Sequence, residues 1–331
     1  MMRAVVTGGC GFIGSELVRQ LLAARVEVHV LDARFSTALG WDEQVLLLGD
    51  RLTQLDVTDA QAVETALMRI KPCVVFHLAA QSHVDESIRS PAGTIDSNAT
   101  GTFNVARACA KARCAMLYCS TDEVYGDAEQ NWHAWTESAS LAPSSPYSAS
   151  KAAGELFVRA VARTYGLRFA ITRGTNAFGP GQYPEKLVPI ACRLLQRGER
   201  VPLHGGGYQI RQWIHVSEFA QALMRTGVEL AANNSQIVGS TLNIAGPVRV
   251  SVRDLVQMLA ERLGVPAEQA FEDVEDRPGG DFNYKVSGSF AASALGFRAN
   301  RMITDGSELD ALLRHYGSNG RCELALYERS A

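Results

Sequence analysis

Apolar runs of strand length alternate with longer segments of helical period through the first half of the chain, and that order leaves few folds open. The strand-like runs lie at 4–7, 26–31, 51–56, 73–78, 116–120 and 168–172, and helical segments fall at 12–24, 59–70, 92–112 and 146–165. Strands joined by crossovers of that length run parallel, because a short turn can only reverse the chain. The expected fold is α/β, a doubly wound parallel sheet of Rossmann type with helices on both faces. Beyond residue 172 the pattern loosens. Loops rich in glycine and proline at 174–181, 204–207 and 276–280 separate shorter helical segments near 185–196, 217–229, 251–263 and 305–316. The expected division is a first domain, residues 1–173 joined by parts of 208–230, and a smaller C-terminal lobe, mainly residues 174–331.

The 331 residues are 47% hydrophobic and 20% charged, enough for a sizeable core without a disulfide or metal staple. A net charge of -3 disfavours nucleic acid as a partner, since phosphate neutralisation needs a basic surface, and points to a small ligand instead. Seven cysteines, an odd number without a C-x-x-C pair, fit reduced thiols and a cytoplasmic setting. The chain shows neither a signal-peptide pattern nor an apolar run long enough for a membrane span. No spacing of His, Cys, Asp or Glu matches a metal site, so no metal is expected.

The first strand runs into Gly8, Gly11 and Gly14, with Phe12 and Ile13 opening the helix. Glycines so spaced permit a tight turn and close backbone approach, which lets a pyrophosphate sit on the helix N-terminus. Asp32 ends the second strand, where a carboxylate accepts from the adenosine ribose hydroxyls and repels a 2′-phosphate, so NAD is favoured over NADP. Arg34 is the dissenting residue. Asp56 and Val57 end the third strand, to face the adenine or, for Asp56, to cap the helix that follows.

Tyr147 and Lys151 stand one turn apart on a helix opened by Pro146. A nearby ammonium favours phenolate, so Lys151, with the positive nicotinamide, is expected to lower the Tyr147 pKa and make the phenol a usable base. The fifth strand ends in Thr121, Asp122 and Glu123 at the carboxyl edge, where ligands bind in open α/β sheets. Thr121 is placed to hydrogen-bond a reacting hydroxyl, and two carboxyl groups imply proton transfer at a second carbon, beyond what oxidation and reduction alone require. The alternative is a pair of solvated loop acids. Neighbouring strand residues point to opposite faces, so the backbone has to leave β geometry before both acids can address one substrate.

These segments resemble the nucleotide-sugar 4,6-dehydratases of the extended short-chain dehydrogenase/reductase family over nearly the whole chain. The likeness is carried by the glycine motif, HLAAQSHVDESI (77–88), STDEVYGD (120–127), PSSPYSASKAAGE (143–155), GPGQYPEKLVP (179–189), IRQWIHV (210–216) and DRPGGD (276–281). Thr121-Asp122-Glu123 is the most specific part. The resemblance implies a lyase bound to NAD that acts on a nucleoside-diphosphate hexose, with dTDP-glucose favoured. In the implied sequence, Tyr147, assisted by Thr121, takes the C4 hydroxyl proton while hydride passes to NAD. Glu123 then removes the C5 proton, Asp122 protonates the departing C6 hydroxyl, and hydride returns to C6. By the same resemblance Leu78, Ala79 and Ala80 lie beside the cofactor. Ser82 and His83 lie at the sugar-cofactor junction, Asn176 near the sugar, and Lys186, Arg211 and Arg277 near the diphosphate. It also implies a homodimer built on the helices at 92–112 and 146–165. Ala177, Gln212 and Gly280 depart from the family pattern in the substrate region. Rival readings are a nucleotide-sugar decarboxylase or 4-epimerase of the same family and, from another class, an NAD-sensing binding protein.

Overall fold

The computed structural model describes residues 2–33, 47–128, 133–276 and 280–317. In chain order the first half holds β1 (Arg3–Thr7), α1 (Phe12–Ala23), β2 (Glu27–Asp32), β3 (Leu52–Gln54), α2 (Ala60–Ile70), β4 (Val74–His77), α3 (Gly101–Ala112), β5 (Ala115–Thr121), α4 (Pro146–Tyr165) and β6 (Phe169–Gly174). The second half holds β7 (Asn176–Phe178), α5 (Leu187–Gln196), β8 (Val201–His204), β9 (Ile210–His215), α6 (Val216–Ala231), β10 (Thr241–Ile244), β11 (Val248–Ser251), α7 (Val252–Arg262), β12 (Phe271–Val274) and α8 (Gly306–Tyr316).

Seven strands form one parallel sheet in the order β10-β6-β5-β4-β1-β2-β3. Alternate residues of each strand face opposite sides, and both sides are apolar. Val6, Val30, Phe76 and Leu117 pack with α1 and α6, whereas Val5, Leu31, Val75 and Met116 pack with α2, α3 and α4. The chain reverses direction of winding between β1 and β4, which opens a crevice at their carboxyl ends. A third core, around Phe178, Trp213, Leu255 and Leu312, joins the three-stranded sheet β11-β9-β7 to α5, α7 and α8.

Three details differ from the sequence reading. The third strand is three residues long and stops before Asp56. The helix expected over 92–112 is broken by a π-helical turn, Asp96–Thr100. The seventh strand, β10, is too short and too remote from the alternating pattern to be read as part of the large sheet, yet it pairs with β6 along its whole length.

Candidate active site

The glycine loop has the geometry its spacing implies. Gly8 takes a left-handed φ of +70°, and a Cβ there would lie 2.6 Å from the Ala79 amide nitrogen. A Cβ on Gly14 would lie 2.1 Å from the Gly8 carbonyl oxygen, so the third glycine lets α1 pack against the loop. Gly11 caps α1 without any side-chain hydrogen bond, so the amides of Phe12 and Ile13 open a helix N-terminus with its partial positive charge. The Cys10 N–H donates to the Asp32 carboxylate at 2.9 Å, which fixes that acid beside the loop. Leu78, Ala79 and Ala80 follow β4 across the crevice. The Leu78 N–H donates to the Thr7 carbonyl and the Ala79 N–H to the Thr7 hydroxyl.

Asp56 does not cap α2. Asp59 does, accepting from the Ala62 N–H at 2.9 Å, while Asp56 closes its own turn onto Thr58. Val57 is buried against Gly101. Arg34 and Arg277 lie outside the described residues.

β5 ends at Thr121 and the chain turns at once into a 3-10 helix, Asp122–Tyr125, so the backbone leaves β geometry where both acids require it. Thr121 caps this turn, its hydroxyl accepting from the Glu123 N–H at 3.3 Å. Asp122 is 2% exposed and its Oδ2 has no hydrogen-bond partner among the described residues. Burial, and then the charge of Glu123, push the Asp122 pKa up to about 8, against the pull of Arg211. Burial raises Glu123 too, opposed by Arg211 and Lys186.

Tyr147 enters from α4, whose start is fixed by Pro146 and by a reciprocal capping pair, Ser145 and Ser148. Its pKa is raised, first by burial and then by Glu123, with Cys119, Tyr118 and Asp122 adding to it. This reverses the expected direction. Lys151 is 3% exposed and donates its Nζ proton to the Cys119 carbonyl at 2.6 Å, above the Tyr118 ring. Burial lowers its own pKa to about 8.

Arg211 on β9 donates to the carbonyls of Ile210, Phe282 and Asp281 and stacks on Tyr284 at 4.6 Å. Lys186 donates to the Ser82 carbonyl at 2.9 Å. His83 caps a short helix, Val84–Arg89, and its pKa is lowered by burial and then by Lys186. Pairwise electrostatic effects thus link Tyr147 to Asp122 and Glu123, those acids to Arg211, Glu123 to Lys186, and Lys186 to His83. Asn176 has its Oδ1 buried and unpartnered among the described residues. Gln212 is structural, bonding the Gly246 carbonyl and the Val286 N–H.

Sequence reasoning passed over Asn98 and Asp281. Asn98, in the π-helical turn, bonds both backbone groups of Gln81 and the Ser150 hydroxyl. Asp281 accepts from Ser144 and Tyr284 and raises the Glu123 pKa. The mid-helix Gly101 was the one available signal for the π turn. Among the described residues no group of three or more His, Cys, Asp or Glu could hold a metal ion.

A glycine cradle at the sheet's switch point, with a tyrosine, a lysine and two raised carboxyl groups beside it, defines a dinucleotide-binding α/β protein built for proton transfer. The chain belongs to the NAD dependent epimerase/dehydratase family, which matches residues 4–245. It is similar to the dTDP-glucose 4,6-dehydratases of Streptomyces niveus, at 35% identity over 92% of this chain and 90% of that protein, and of Neisseria meningitidis, at 37% over 90% and 88%. Among solved structures it is similar to DesIV, the dTDP-glucose 4,6-dehydratase of Streptomyces venezuelae with NAD bound. The TM-score is 0.84 and the identity 35%, with 95% of this chain and 97% of that one covered.

Proposed function

We propose that the protein is a nucleotide-sugar 4,6-dehydratase, an NAD-dependent hydro-lyase that converts a nucleoside-diphosphate hexose, dTDP-glucose first, to its 4-keto-6-deoxy form. The observation that carries this reading is the acid pair of buried Asp122 and half-buried Glu123, which act electrostatically on Tyr147 and feel Arg211. A protonated buried aspartic acid is more than a 4-epimerase or a decarboxylase needs. The similarity to named 4,6-dehydratases over nine-tenths of the chain supports the same reading.

The residues present fit NAD. Gly8, Gly11 and Gly14 open the space for the diphosphate, with Phe12 and Ile13 at the helix start. Asp32 takes the adenosine ribose, Asp56 and Val57 border the adenine, and Leu78, Ala79 and Ala80 border the cofactor across the crevice. When bound there, NAD would supply reversible hydride acceptance and a positive ring that offsets the upward shift of Tyr147. Tyr147 removes the C4 hydroxyl proton, with Thr121 hydrogen-bonded to that oxygen and Lys151 holding the helix against β5. The 4-keto group acidifies C5, Glu123 takes the C5 proton, and Asp122, protonated near neutral pH, gives its proton to the leaving C6 oxygen. Lys186, Arg211 and Arg277 bind the diphosphate, and Ser82, His83 and Asn176 line the sugar. The same reading assigns residues 1–173, with parts of 208–230, to the cofactor domain and most of 174–331 to the sugar-nucleotide lobe.

The protein is also proposed to be a cytoplasmic homodimer. Leu156 and Tyr165, each 61% exposed, and Phe157, in tilted contact with Phe103, leave an apolar face on α3 and α4, and cysteines that form no disulfide among the described residues suit a reducing compartment. The test of function is incubation with dTDP-, UDP-, CDP- and GDP-glucose. A 4-keto-6-deoxy product from at least one is expected, and a 4-epimer or no keto sugar from any of them contradicts the reading.

A further inference from the structure

We propose that the Tyr183 hydroxyl donates a hydrogen bond to the dinucleotide diphosphate, and that the segment 179–186 is a strap holding the cofactor in its crevice. The inference rests on the NAD reading above and adds a residue to it. Of the three glycines in the loop, the first shapes the turn and the third lets helix and loop pack, so the side left open by the second is the one a diphosphate approaches. In this protein, that side of Gly11 faces Tyr183. A Cβ built on Gly11 would lie 3.3 Å from the Tyr183 hydroxyl oxygen, and the next atom it would meet is the Gly8 carbonyl oxygen at 3.4 Å. A phenol on the approach path of a diphosphate can donate to it, and hydrogen bonds to charged groups are the strong ones.

The segment that carries Tyr183 is braced from behind and in front. Tyr316 at the end of α8 accepts from the Gln182 N–H at 2.8 Å and donates to the Gly179 carbonyl at 2.7 Å. The Gly181 N–H donates to His315, and Arg193 of α5 donates to the Pro184 carbonyl. At the far end Lys186 reaches over to the Ser82 carbonyl, beyond β4. One short segment therefore bonds to the loop after β4 and brings Tyr183 close to the loop after β1, the two edges of the switch-point crevice. A cofactor lying between those loops is enclosed by it.

The test compares wild type with Tyr183→Phe in calorimetric titrations with NAD, ADP-ribose and adenosine, alongside the melting temperature of the nucleotide-free proteins. The expected result is a loss of about tenfold or more in affinity for both NAD and ADP-ribose. Adenosine, which has no phosphate, should bind both proteins alike, and the melting temperature should not change. Equal NAD affinity in the two proteins overturns the inference, as does an equal loss for adenosine, which would signal a general disturbance of the site. Wild type that binds none of the three ligands contradicts the NAD reading itself and is thereby distinguishable from failure of the Tyr183 proposal.

Discussion

Asp122 ionises only near pH 8, because its carboxyl is buried next to a second acid, and this one displacement has consequences for both catalysis and stability. As a proton donor it works below that value, so turnover should decline as pH rises through about 8. Between the ordinary aspartate value of 3.8 and about 8 the folded protein keeps a proton that the unfolded chain has released, so stability falls as pH rises across that window. Asp122→Asn removes the titration. It should melt higher than wild type at pH 8, with the advantage vanishing towards pH 4. The same variant should lose water elimination by about 100-fold or more while still reducing bound NAD, as followed by absorbance of the reduced cofactor. Equal loss of both steps would contradict the assigned role. Residue types and spacing were enough to nominate Asp122, Glu123 and Tyr147, three groups that act on one another electrostatically in the fold. The direction of the Tyr147 shift was not legible, because the Y-x-x-x-K spacing places the lysine on the same helical face but does not reveal the burial of the phenol or its closeness to Glu123.

At the scale of elements, the 3-10 turn that carries the acids is held by a buried chain of contacts that no motif announces. Glu155 of α4 pairs with Arg173 of β6 at 2.6 Å, Arg173 donates to the Tyr125 hydroxyl, and Tyr125 donates to Asn243 of β10. The side chains of Arg173 and Glu155 are 4% and 1% exposed, so removing one partner strands a charge in the core. Glu155→Gln should destabilise the protein by roughly 3 kcal/mol, measured by denaturant unfolding. An effect within the range of surface substitutions would mean that the pair does not brace the turn. Two of the four residues in this chain lie on strands whose pairing is remote in sequence, which is why local periodicity did not expose it. The glycine loop, by contrast, was legible because its requirements are local: one left-handed φ at Gly8 and one close packing contact at Gly14.

For the whole molecule, alternation of strands and helices predicted the parallel sheet and six of its seven strands, and β10 escaped because it arrives after the pattern has loosened. The apolar face of α4 is proposed to be closed by a second copy, and Leu156→Glu should shift the protein from dimer to monomer in sedimentation equilibrium. A wild-type monomer would contradict that assembly. The account depends most on the acids, the phenol and one hexose meeting in a single site. The direct measurement is turnover of dTDP-glucose in deuterated water, with the product read by NMR and mass spectrometry. A 4-keto-6-deoxy sugar carrying solvent deuterium at C5 is the predicted result, and a product formed without label at C5 would contradict proton removal there and the elimination built on it.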